Sequence, residues 1–325
     1  MSEFWREKKV FVTGATGLIG GWLVRALLDS QAYVVVLVRD WDPQSELIRS
    51  GLINQTYVVN GQLEDYATLD RAINEHEIDT VFHLGAQTIV GSALRSPLPT
   101  FESNIRGTYN LMEACRVHDG LVKRVVVASS DKAYGDSDVL PYTEDMPLIG
   151  RHPYDVSKSC TDLIAITYHR TYGVPVAVTR CGNVYGGGDL NWSRIVPGTI
   201  RSFLAKEAPI IRSDGKFLRD YVYVKDVADA YMTTAEALDN PEVRGEAFNF
   251  AHEQPRTVLE VVFAISRLMG CDEIKPIILN QAKGEILNQY LDSTKAKTFL
   301  GWTAKHDFDQ ALGETIKWYR EFLGA

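Results

Sequence analysis

The stretch 9-KVFVTGATGLIG-20 decides the fold. Its opening residues, Lys9 to Thr13, are rich in β-branched and aromatic side chains, which suit a strand. Gly14, Gly17 and Gly20 follow at GxxGxxG spacing, and 18-LIGGWLVRALLDS-30 reads as an apolar helix. Glycine permits positive φ and lets backbone approach a phosphate closely. A helix N-terminus just beyond it offers N–H groups and a favourable dipole to the same anion. The spacing alone is a weak signal. Set between a strand and a helix, with further strand–helix units behind, it predicts dinucleotide binding.

Those further units are legible. The run 33-YVVVLV-38 suits a strand buried on both faces, and 56-TYVVN-60, 80-TVFHLG-85, 124-RVVVASS-130 and 175-PVAVTR-180 continue the series. Helices are expected at about 67–76, 99–118 and 154–172. The alternation predicts an α/β, doubly wound parallel sheet, with residues 1–180 forming the dinucleotide-binding half and its catalytic helix. Residues 181–325 are less regular and read as mainly a smaller substrate-binding lobe, with some segments returning to the first half. They include a helix near 195–205, a short strand at 209–213 and an amphipathic helix at 309–323.

Composition narrows the function classes. Of 325 residues, 45% are apolar and 23% charged, and the formal net charge of −8 with no dense basic block argues against a nucleic-acid surface. No apolar run is long enough for a membrane span, and the first residues show no signal-peptide core. Four scattered cysteines form no CxxC pair, so free thiols, a cytoplasmic enzyme and no bound metal are expected.

The chemistry resides in two stretches. In 154-YDVSK-158, Tyr154 and Lys158 share one helix face, where the ammonium is expected to stabilise tyrosinate and lower the Tyr154 pKa. Tyr154 then becomes a general base for a substrate hydroxyl. In 127-VASSDKAYG-135, Ser130 stands at a strand end, placed to bond the same hydroxyl, followed by Asp131 and Lys132. Arg39 and Asp40 follow the second strand. Arg39 suits a 2'-phosphate and Asp40 a free ribose hydroxyl, so NAD and NADP both stay open. Asp65 is either near the adenine or a helix cap, and His83, on an apolar strand, reads as structural.

The chain resembles the extended short-chain dehydrogenase/reductase family, and within it the nucleotide-sugar epimerases and dehydratases. The resemblance rests on 14-GATGLIG-20, 83-HLGAQ-87, 104-NIRGTYNLMEAC-115, 129-SSDKAYG-135, 154-YDVSK-158, 180-RCGNVYGGGD-189 and 219-RDYVYVKDVADA-230, and spans essentially the whole length. It implies a Rossmann-type fold and a Ser130–Tyr154–Lys158 triad. It also implies a cofactor held by Gly14, Thr16, Gly17, Leu18, Ile19, Gly20, Leu84 and Ala86, together with Tyr154 and Lys158. That cofactor, NAD or NADP, would stay tightly bound and be regenerated in each turnover. The substrate would be a nucleoside-diphosphate sugar, with Asn183 on the sugar or its phosphate, Arg219 on the diphosphate and Arg212 near the nucleotide. Arg180 would brace the site. A homodimer through the helices near 104–118 and 154–172 would follow.

Asp131 and Lys132 bear on the reaction. Epimerases of this kind usually carry uncharged residues after the Ser or Thr. Dehydratases add an acid that protonates the departing C6 hydroxyl and a base that removes the C5 proton. Many show Thr-Asp-Glu. The Asp-Lys pair here is similar to CDP-glucose 4,6-dehydratases and some UDP-N-acetylglucosamine 4,6-dehydratases. The expectation is therefore a nucleotide-sugar 4,6-dehydratase acting on CDP-glucose or a similar substrate. A 4-epimerase and an NADP-dependent carbonyl reductase are the alternatives, and a non-catalytic dinucleotide-binding regulator is disfavoured by the intact triad.

Overall fold

The computed structural model describes residues 3–281 and 286–324. Strand β1 (Lys9–Thr13) leads through the glycine turn into α1 (Leu18–Asp29), then β2 (Tyr33–Val38), β3 (Tyr57–Asn60), α2 (Tyr66–Glu75) and β4 (Thr80–His83). Helix α3 (Gly107–Val117), β5 (Arg124–Ala128), α4 (Pro153–Tyr172) and β6 (Val176–Cys181) complete the regular series. Beyond it come β7 (Asn183–Tyr185), α5 (Ile195–Leu204), β8 (Leu218–Arg219), β9 (Tyr221–Tyr223) and α6 (Val224–Ala237). The last elements used here are β10 (Ala247–Phe250), α7 (Val258–Met269), β11 (Asn288–Gln289) and α8 (Phe308–Leu323).

Seven strands form one parallel sheet in the order β10-β6-β5-β4-β1-β2-β3. Successive strand residues point to opposite faces, and the apolar residues divide accordingly. Val10, Val12, Val34, Val36 and Val126 pack with α1 and α6 on one face. Phe11, Val35, Leu37, Val125 and Val127 pack with α2, α3 and α4 on the other. Helices cover both faces of the central strands, which is why their middle residues are mostly apolar, while edge strand β3 is largely exposed. The strand order reverses at β1 and β4, so the crevice above their C-terminal ends is the expected ligand position in an open α/β sheet.

The doubly wound fold is as the sequence predicts, and several details differ. The helix expected over 99–118 is three joined pieces, Pro97–Phe101, a π-helical turn Glu102–Arg106, and α3. The strand expected at 209–213 is only Ile210–Ile211. Residues of α6 and β10 from the C-terminal half lie in the same core as α1. Their apolar residues look like any buried run, so the sequence does not show which core they join. A separate cluster unites Tyr185, Ile200, Phe203, Val261, Ile265, Leu312 and Tyr319. Its helix α7 was not foreseen, although a capping box of Thr257 and Glu260 marks its start. Among the described residues, no helix is long and apolar enough to cross a membrane.

Candidate active site

The glycine turn leaves space where side chains would stand. Gly14 has φ +73°, and a Cβ there would lie 2.6 Å from the Gly85 nitrogen on the chain leaving β4. A Cβ on Gly20 would lie 2.2 Å from the Gly14 carbonyl oxygen. Neither position tolerates a side chain without moving backbone. Gly17 is the N-cap of α1 and no side chain caps the helix, so its first-turn N–H groups remain for an external acceptor. Thr16, Leu18 and Ile19 lie half-buried around this turn, and Leu84 and Ala86 do so at the end of β4. This cradle fits the pyrophosphate of a dinucleotide.

At the end of β2, Arg39 and Asp40 are exposed and paired with each other at 2.6 Å. Asp65 is the N-cap of α2 and accepts hydrogen bonds from the Thr68 hydroxyl at 2.6 Å and from the Ala67 and Thr68 N–H groups. The Thr68 hydroxyl leads these bonds in holding the carboxyl below its usual pKa. His83 is structural, as expected. Its ring nitrogens face the Thr13 and Thr108 hydroxyls at 2.9 and 3.1 Å, and burial lowers its pKa to about 3.

The candidate reactive groups gather where β5 leaves the sheet. Ser130 caps the short turn Asp131–Tyr134, accepting from the Lys132 N–H at 3.2 Å and donating to Asp131 Oδ1 at 3.0 Å. Asp131 is 3% exposed. Burial raises its pKa, and the nearby Lys132 charge and the Ser130 hydroxyl only partly offset this. Lys132 is half-buried, and its Nζ donates to Gln289 Oε1 at 2.5 Å.

Tyr154 and Lys158 sit on α4, both buried. Burial pushes the Tyr154 hydroxyl up to about 12, against the Arg194 charge and a hydrogen bond with Ser130. It pushes Lys158 down to about 8, and the Lys158 Nζ donates to the Ala128 carbonyl at 2.8 Å. The expected lowering of the Tyr154 pKa is thus reversed here, because desolvation outweighs the favourable charges.

The π-helical turn supports this helix. Asn104, within it, receives the Gln87 N–H at 2.7 Å and donates to Ser157 Oγ at 2.8 Å, and Ser157 donates to the Tyr154 carbonyl at 2.7 Å. Such turns are frequent at functional sites.

The C-terminal half closes the site from the other side. Asn183 begins β7, where its N–H donates to the Asp220 carbonyl at 2.8 Å. Arg219 is buried and donates to the Leu218, Ile286 and Leu287 carbonyls. Its charge also acts on Asp131. Arg212 is exposed. Arg180 braces the base of the site, bonded to both Asp162 oxygens at 2.8 and 2.9 Å and to the Tyr134 hydroxyl.

Two residues here carry no signal in the sequence. Gln289, fully buried on β11, meets Lys132 across 157 positions of chain. Asp220 is raised to about 6 by burial, with Oδ2 buried and unpartnered among the described residues. No local pattern marks such long-range contacts.

Comparison with known proteins agrees with this geometry. A family model described as the NAD dependent epimerase/dehydratase family matches residues 10–251. A CDP-glucose 4,6-dehydratase of Salmonella typhimurium is 31% identical, over 99% of this chain and 93% of the relative. Among solved structures, a dTDP-glucose 4,6-dehydratase from Streptomyces venezuelae with NAD bound is 28% identical with a TM-score of 0.86, covering 97% of this chain and 98% of that one. A UDP-glucose 4-epimerase from Thermotoga maritima with UDP-glucose is 29% identical with a TM-score of 0.87, covering 97% and 99%. The chain belongs to the NAD-dependent epimerase/dehydratase family, its cofactor is NAD, and its reaction class is nucleotide-sugar dehydration or epimerisation.

Proposed function

We infer that this member of the family is a nucleotide-sugar 4,6-dehydratase, converting an NDP-hexose of the CDP-glucose kind to the 4-keto-6-deoxyhexose. The observation that carries the reading is Asp131, a buried carboxyl whose pKa is raised, one residue from a lysine at the strand end. A site that only oxidises and re-reduces C4 has no use for such an acid. Elimination of water needs it.

Bound NAD supplies the redox partner that takes hydride from C4 and returns it to C6. Gly14, Thr16, Gly17, Leu18, Ile19 and Gly20 would hold its pyrophosphate. Leu84, Ala86, Arg39, Asp40 and Asp65 would flank the rest, with Lys158 near the nicotinamide ribose. Tyr154 takes the C4 hydroxyl proton with Ser130 orienting that oxygen. Burial favours neutral Tyr154, so positive charge must draw the proton away, and Arg194 already acts in that direction. The Lys132 amine removes the C5 proton, and the electron pair of the broken C5–H bond becomes the C4–C5 enolate. That pair then expels the C6 hydroxyl, which takes the Asp131 proton and leaves as water. Lys132 returns its proton to C5.

Asn183 and Arg219 would face the sugar diphosphate, with Arg212 towards the nucleotide. A homodimer through α3 and α4 is part of the reading, supported by exposed Tyr109, Val117, Leu163 and Tyr172 on those helices.

The test is a mass-resolved product assay with CDP-glucose, dTDP-glucose, UDP-glucose, UDP-N-acetylglucosamine and GDP-mannose. Loss of one water identifies the dehydratase and its nucleotide. Unchanged mass with inverted C4 by NMR assigns the protein to the epimerases, whose solved relative has the same fold and coverage.

A further inference from the structure

Lys132 is held by a residue from the far half of the chain. Its Nζ donates to Gln289 Oε1 at 2.5 Å, while Gln289 is fully buried and its Nε2 has no partner among the described residues. The amide cannot be turned to satisfy Nε2, because an ammonium carries only donors and would then face a second donor. The strand beneath is fixed. Gln289 pairs with Arg219 in the β8–β11 register, the Asp220 N–H donates to the Gln289 carbonyl at 3.3 Å, and the Arg219 guanidinium holds the Ile286 and Leu287 carbonyls. A buried amide with one end on Lys132 and the other unsatisfied costs stability, and packing alone gives no reason to keep it.

We propose that Gln289 is a positioning residue for Lys132, a neutral acceptor that aims the lysine beside Asp131 without adding a negative charge to it. This rests on the dehydratase reading, in which Lys132 must act as an amine. Among the described residues, the charged groups that act on Lys132 include Asp131 on its own turn and Asp155 on α4, with Arg219 acting on Asp131 from β8. A carboxylate added at position 289 would favour the ammonium form and withhold the base. A neutral amide fixes the direction of the side chain and leaves that balance alone.

The test uses the full-length protein and a nucleotide sugar that the wild type dehydrates, with Gln289→Glu and Gln289→Met. Water loss is followed by mass, and C5 proton removal by deuterium uptake from D2O. Gln289→Glu is nearly isosteric and is expected to move the rising limb of the kcat–pH profile upward by about 1–3 units, with the alkaline plateau kept. Gln289→Met is expected to lower kcat for water loss and C5 exchange by about tenfold or more at nearly constant KM, while reduced nicotinamide still forms at C4 oxidation. If the wild type eliminates water and Gln289→Glu leaves the pH profile in place, the proposal fails and the dehydratase reading stands, whether or not Gln289→Met folds. If the wild type inverts C4 without losing water, the reading fails and the proposal falls with it.

Discussion

Asp162 and Asp131 are both buried carboxylates beneath the same strand ends, and their surroundings differ. Asp162, 1% exposed, is clamped through both oxygens by Arg180, whose guanidinium also stacks over the Tyr134 ring at 4.9 Å. Asp131, 3% exposed, accepts the Ser130 hydroxyl at 3.0 Å and a backbone hydrogen bond from Lys132, with the Lys132 and Arg219 charges acting on it and no bidentate guanidinium among the described residues. A bidentate partner makes a buried charge structural. Without a bidentate counter-ion, burial outweighs the nearby charges and leaves a group whose proton can move. The contrast teaches that burial alone does not mark a reactive carboxyl; what separates the two is the bidentate guanidinium that holds Asp162.

Breaking the clamped side should cost the most stability. Arg180→Leu strands Asp162 in the core without its counter-charge, and urea unfolding should show a loss of about 3–5 kcal/mol. A loss below about 1 kcal/mol would mean that water reaches Asp162 and that the two carboxylates are not so different.

The unclamped side should respond in the opposite sense. Asp131→Asn should cut water elimination by about 10²–10⁴-fold while leaving unfolding stability unchanged or raised, since a neutral amide is easier to bury. Equal losses of stability and turnover would make Asp131 another structural carboxylate.

Asp220 sharpens the same point through pH. Its carboxyl is raised from 3.8 to about 6 by burial. A group whose pKa rises on folding contributes its full stability below the unfolded value and loses it as pH climbs through the folded one. Stability from Asp220 should therefore be present near pH 4 and fall by roughly 2–3 kcal/mol by pH 8. Asp220→Asn should flatten this slope in unfolding titrations, and an unchanged slope would assign it to other groups.

The smallest effect belongs to the exposed pair at the end of β2. Arg39→Ala should shift stability by no more than about 0.5 kcal/mol, since water screens both charges. Any measurable change should appear in NAD binding, followed by isothermal titration; a larger stability loss would show that the pair is not merely solvated.

Much of this site was readable in advance. Ser130, Asp131 and Lys132 follow a β-branched run, so their place at a strand end follows from local pattern. Tyr154 and Lys158 share a face because a helix repeats every 3.6 residues. Gly14 and Gly20 declared their turn because no other residue fits there. What stayed hidden lies far apart in the chain. The direction of the Tyr154 pKa was misjudged because the i,i+4 lysine is visible in the sequence and the depth of burial is not.

The sequence by itself determined the doubly wound sheet, the glycine cradle and the candidates for the reactive side chains, because all of these follow from periodicity and residue type over a few turns of chain. Only the tertiary structure decided that Arg180 would lock Asp162 and not Asp131, and that Gln289 would cross 157 positions to meet Lys132. Partnership inside a core depends on which distant segments meet as the chain packs, and no local pattern encodes that meeting.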